Sequence, residues 1–147
     1  MVKKIIPNVV LVNEIDKFVK EGLQVNFKPK GNSMLPFIVS ERDSVVLKAP
    51  ENIKIGDIVL AKVGVSNYVL HRVIAMNDDR IILMGDGNII GTERCRLPDI
   101  VAVAIKINKG GKEIDCRSKY HLFKARIWRM LKPVRRYLLA IYRRIIL

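Results

Sequence analysis

Tyr68-Val69-Leu70-His71-Arg72-Val73-Ile74 reads with a period of two, which makes it a strand carrying Val69, His71 and Val73 on one face and Arg72 on the other. Short runs of the same kind recur on both sides of it: Leu23–Lys28, Ser44–Lys48, Asp57–Val63, Tyr68–Met76, Arg80–Met84 and Ile100–Asn108. Turn residues punctuate them at Pro29/Gly31, Gly56/Asp57, Asn77–Asp79, Gly85–Asn88 and Gly110/Gly111. The pattern predicts a mainly β fold, a compact antiparallel β domain, with no internal repeat or low-complexity tract.

Outside the strands the period changes. Ahead of them, Asn13 is placed to cap a short helix in which Ile15, Phe18 and Val19 share a face and Gly22 supplies the stop. Behind them, Phe123, Ile127, Met130, Leu131, Val134, Leu138, Ile141 and Ile145 follow spacings of three and four with basic residues between, predicting an amphipathic helix that Pro133 kinks or restarts. The 147 residues suffice for one core, so the expected organisation is a domain over 1–118 with its short N-terminal helix, and a basic helical tail over 119–147.

Lys and Arg number 27 against 14 Asp and Glu, a formal net charge of +13, so an anionic partner is the default expectation. Nine of those cations and no acidic residue fall between Lys119 and Leu147, which ties much of the excess to the tail. An anionic membrane surface suits a basic amphipathic helix, and the same stripe would also suit packing on the β domain or a homodimer. Nucleic acid is disfavoured, because no helix-turn-helix, RNA-recognition or zinc-finger pattern is present. The apolar start Ile5–Val12 is broken by Pro7 and Asn8 and is far shorter than the roughly 20 residues of a membrane span. It also lacks a small-residue cleavage site, so the expected location is the cytoplasm or the inner face of the membrane. Cys95 and Cys116 have no metal-ligand spacing and are expected as free thiols; with only two histidines, no metal or organic cofactor is implied.

Two segments offer chemistry. Lys30-Gly31-Asn32-Ser33-Met34-Leu35-Pro36 lies between strands, where Gly31 lets the backbone bend and its N–H groups converge beside an exposed Ser33 hydroxyl. Such donors stabilise an oxyanion by roughly 3 kcal/mol each in hydrolases. A turn serine alone is ordinarily structural and needs a base. His71 on its apolar strand face is ordinarily a hydrogen-bonded core residue, yet the same shielding would keep an imidazole neutral and able to take a proton from a serine.

Gly31-Asn32-Ser33-Met34-Leu35-Pro36, Gly56-Asp57-Ile58-Val59, His71-Arg72-Val73-Ile74 and Gly85-Asp86-Gly87-Asn88 together resemble the ordered motif set of the type I signal peptidases over about Lys28–Ile107. The Gly-Asn-Ser-Met string is also similar to the self-cleavage domains of SOS repressors, in the same superfamily of β-fold serine peptidases. The resemblance is closest to the branch with histidine, rather than lysine, before Arg-Val-Ile. It implies Ser33 as nucleophile, His71 as base, and the backbone N–H groups of Asn32 and Ser33 as oxyanion donors. It places Asp86 as orienter of His71, although an Asp-Gly turn closing a hairpin accounts for that residue equally well. The branch's second aspartate has no counterpart in Ile89-Ile90-Gly91-Thr92-Glu93, where Glu93 is the available substitute, so the third member stays open between Asp86 and Glu93. Asp43 and Asp57 are expected to be structural.

The implied activity is a serine endopeptidase that forms an acyl-enzyme on an extended peptide or protein precursor, bound as an added strand along Leu23–Lys28 and Met34–Ile38, with Met34, Leu35 and Pro36 in contact. The family's N-terminal membrane span has no equivalent in this sequence. The alternative is a catalytically inactive peptide-binding or membrane-associated accessory protein of the same fold.

Overall fold

Along the strand Ile58–Val63 every second side chain enters a different cluster. Ile58 and Leu60 join a core with Leu70, Val45 and Ile107, while Val59 and Ala61 join a second core with Val73, Ile81 and Leu83. Both faces are therefore apolar, and only a curled sheet covered on one side by a helix buries both. The computed structural model describes residues 8–65 and 67–146 and has that form. The opening run Ile5–Val12 lies partly outside the described residues.

The chain begins with helix α1 (Asn8–Lys20) and continues through β1 (Val25–Phe27), β2 (Ser44–Lys48), β3 (Ile58–Val63), β4 (Asn67–Asn77), β5 (Arg80–Met84), β6 (Glu93–Arg96), β7 (Ile100–Lys109) and β8 (Lys112–Asp115). Helices α2 (Lys119–Met130) and α3 (Arg135–Ile146) close it, joined by a short 3-10 turn at Lys132–Val134. The strands form one antiparallel sheet in the order β1-β2-β7-β3-β4-β5-β6, with β8 added to β7. The fold is mainly β, with a short N-terminal helix and a helical C-terminal region.

Helix α1 starts earlier than a cap at Asn13 would allow, so Asn13 lies inside it. Val12, Ile15 and Val19 are its buried stripe, with Phe18 beside them, and each fully buried aliphatic side chain contributes roughly 1.5–3 kcal/mol. Gly22, at φ +85°, ends the helix as expected: Leu23 N–H bonds back to the Phe18 carbonyl at 3.0 Å. Strands β6 and β8 are additions to the sequence reading. Cys95 and Cys116 are buried free thiols, which burial pushes up to about 11 and about 12. Among the described residues no helix is long and apolar enough to cross a membrane.

Candidate active site

After β1 the chain turns at Gly31, whose N–H donates to Ser40 Oγ at 2.9 Å, and Ser33 follows on a compact bend. Phe37 and Ile38 N–H both reach the Met34 carbonyl at 3.0 Å. Met34 and Leu35 anchor the bend by entering separate apolar clusters. At its far end Asp43 accepts from Val39 N–H at 2.8 Å and from Arg42 and Lys109. Burial alone would raise the Asp43 carboxyl, but those donors outweigh it and hold it below the usual carboxylate range.

The Ser33 bend rests directly on the loop between β5 and β6. Gly87 N–H donates to the Ser33 carbonyl at 2.7 Å, and Asn88 N–H closes the loop on the Gly85 carbonyl at 3.0 Å. A Cβ at Gly87 would stand 2.3 Å from the Asn32 carbonyl oxygen, and one at Gly85 2.4 Å from that of Ser33. Both glycines are therefore needed for the two backbones to meet.

His71 faces the same contact. Arg72 pairs with Met84 across β4 and β5, so one step further along the ladder His71 stands opposite Gly85. Its Nε2 lies 3.1 Å from the point a Gly85 Cβ would occupy, the same point that is 2.4 Å from the Ser33 carbonyl oxygen. The other ring nitrogen, Nδ1, contacts Glu93 Oε1 in a close hydrogen bond. A carboxylate only accepts, so in the neutral ring the proton sits on Nδ1 and the Nε2 lone pair is left toward the Ser33 bend. Among the described residues no hydrogen bond joins the Ser33 hydroxyl to His71, and none uses the backbone N–H of Asn32 or Ser33.

Asp86 does not orient His71. Its carboxylate is forked by Arg72, with Nε to Oδ1 at 2.9 Å and Nη2 to Oδ2 at 2.7 Å, on the opposite face of β4. Both side chains are essentially buried, and the remaining guanidinium capacity goes to the Gly56 carbonyl at 2.7 Å and to the face of Phe37. The physical reason is competition: an arginine buried without an anion costs several kcal/mol, and Asp86 is the carboxylate that meets it. Of the two candidates for that place, Glu93 is the carboxylate on His71.

The tail packs on both halves of this arrangement. Trp128 Nε1 donates to the Asp86 carbonyl at 2.7 Å, and Arg135 Nη1 to the Asn88 carbonyl at 2.9 Å, with the Arg135 guanidinium 5.2 Å over the Trp128 ring. Leu139 and Tyr142 cover Leu35 and Val39. His121, buried on the inner face of α2, takes a long 3.4 Å contact from Arg72 Nη1 and meets Phe37 edge-on.

Burial also changes the expected peptide contacts. Leu35 is 0 % and Met34 3 % exposed, so these side chains fix the bend rather than line a groove; Pro36 is half-buried, with its carbonyl accepting from Tyr142. Asp57, as expected, is structural, held by Arg117 and by Lys54 N–H. Trp128, Arg135 and His121 are the neighbours that sequence reasoning missed, since nothing in a helical stripe shows which loop it will meet. No protein-family model, curated protein or solved structure matches the chain.

Proposed function

We propose that the chain is a serine endopeptidase of signal-peptidase-like type, using Ser33, His71 and Glu93. The observation that carries the reading is His71 itself, bound to a carboxylate through Nδ1 and turned through Nε2 toward the serine bend. Ser33 Oγ attacks the scissile carbonyl while His71 Nε2 takes its proton, and the resulting oxyanion accepts from the free N–H groups of Asn32 and Ser33. Collapse breaks the C–N bond, His71 returns the proton to the leaving amine, and water then releases the acyl group by the same steps. Hydroxyl and imidazole come into hydrogen-bonding contact as substrate binds, since catalytic hydrogen bonds are often long in free enzymes. The edge strand β1 leads through the chain into the Ser33 bend, and an extended peptide added there would run toward the nucleophile.

The test is incubation of the full chain with a diverse peptide mixture and with candidate precursors, read by mass spectrometry. New termini are expected with the wild type and not with Ser33→Ala or His71→Ala. Binding of peptide without any new terminus would instead identify an inactive accessory protein, and cleavage undiminished by Ser33→Ala would overturn the mechanism.

A further inference from the structure

The apolar periodicity of the tail is not its packed face. The helices bury His121 and Ala125 in α2 and Arg135 and Leu139 in α3, with Trp128 and Tyr142 half-buried on the same faces, each set spaced by four and three. The series Phe123, Ile127, Met130, Val134, Ile141 and Ile145 lies outside these sets, with Met130 73 %, Ile141 59 % and Ile145 75 % exposed. So many exposed large apolar groups on two consecutive helices mark an interaction surface rather than scattered exceptions.

Charge says what covers it. The exposed cations Arg126, Lys132, Arg136, Arg143 and Arg144 accompany the apolar series, and no acidic residue occurs from 119 to 147. A second copy would set like charge against like, and a nucleic acid would leave the apolar row without a partner. An anionic amphiphilic surface satisfies both sets of side chains. Beside the row, a groove lined by Phe37, Ile107, Ile114 and Lys124 places apolar side chains next to a cation at the base of α2.

We propose that α2 and α3 dock the protein on an anionic lipid surface, the exposed apolar row entering the acyl boundary and the arginines and lysines meeting headgroups. Each helix is 12 residues long, so both lie along the interface rather than crossing it. The packed side chains stay on the protein, and Trp128 keeps its bond to the Asp86 carbonyl while the opposite side of the tail is immersed. The inference rests on the tail alone and stands or falls separately from the peptidase reading.

The test is flotation of the full chain with phosphatidylcholine vesicles that contain or lack phosphatidylglycerol. Binding is expected with phosphatidylglycerol, about tenfold or more weaker without it, and reduced by salt. The triple variant Met130→Glu, Ile141→Glu and Ile145→Glu is expected to lose binding with an unchanged thermal melt, because these side chains are exposed. Arg143→Gln with Arg144→Gln is expected to weaken binding by about tenfold. No flotation, equal flotation on neutral vesicles, undiminished binding by the triple variant, or a lipid-free dimer that the triple variant dissociates would each overturn the proposal.

Discussion

Glu93 holds the ring of His71 from the far side of β5, 22 residues later in the chain, through Oε1 and Nδ1. Glu93 reaches it from β6, where it pairs with Leu83 of β5, while Gly85, beside His71, leaves room for Nε2 to face the Ser33 bend. Glu93→Gln is expected to lower kcat/KM by about 100-fold or more through loss of the favoured tautomer, with less than about 1 kcal/mol of destabilisation at this partly exposed position. Asp86→Asn is expected to show the reverse emphasis, destabilising by about 3–5 kcal/mol because it leaves Arg72 charged and buried. Denaturant melts and steady-state kinetics on both variants decide it; equal kinetic loss at matched stability would return Asp86 to the catalytic unit.

In the proposed mechanism Ser33 and His71 form one proton-transfer pair, so their deletions should not add. Ser33→Ala and His71→Ala are each expected to remove nearly all cleavage, and the double variant to be within about threefold of either single one. Multiplicative losses in single-turnover assays would show that the two side chains act independently.

Gly85→Ala and Gly87→Ala test the contact between the serine bend and the β5–β6 loop. The added methyl groups would stand 2.4 Å and 2.3 Å from backbone carbonyl oxygens, which cannot move as a side-chain end would. Each substitution is expected to cost about 1–3 kcal/mol and to depress activity beyond what stability explains. A thermal melt with activity measured well below the midpoint separates the two effects.

The strands that alternate could be read from the sequence, and the two that do not could not. Ser44–Lys48 and Arg80–Met84 have the expected bounds because Val45 and Leu47, and Ile81 and Leu83, alternate inward. Glu93–Arg96, by contrast, has Cys95 as its one apolar residue and is a strand only because β5 offers it a ladder. That is why Glu93 could be named as a candidate but not placed on His71. The choice between Asp86 and Glu93 stayed open for a related reason: the Asp86 motif fixes its loop, whereas its partner depends on Arg72 being buried, and an arginine on a strand gives no sign of burial. In the tail, periodicity revealed the helical state, left open whether Pro133 kinks or restarts the helix, and pointed to the exposed apolar row, because the packed face contains Arg135 and His121.

His121 ties stability to pH. Burial first, and the neighbouring Arg72 charge second, push its imidazole down to about 4 from its usual value near 6.5. Between those two values the unfolded chain binds the proton and the folded chain does not, so this contribution is complete above about pH 6.5 and is lost as pH falls toward 4. Denaturant titrations at pH 7.5, 5.5 and 4.5 should show a steeper loss for the wild type than for His121→Gln. Parallel pH profiles would mean that the ring is not buried neutral.

The tail should matter to the site even though it contributes none of the reacting groups. Trp128 and Arg135 hold the carbonyls of Asp86 and Asn88, on either side of Gly87, and Gly87 N–H in turn holds the Ser33 carbonyl at 2.7 Å. Loosening the first pair of bonds therefore loosens the surface on which the Ser33 bend rests. Trp128→Phe keeps most of the ring's packing and removes one donor, so a stability loss of about 1–2 kcal/mol is expected, with kcat falling more than KM rises. Arg135→Lys keeps the charge but loses the planar fork that spans the Asn88 and Trp128 carbonyls, and should give the same kinetic signature. Deletion after Ser118 is expected to be more severe, because it uncovers Leu35 and Val39 as well as freeing both carbonyls. Full kcat in the two point variants and in the deletion, measured on a soluble peptide, would show that the bend is held without the tail and that α2 and α3 serve only the surface they expose.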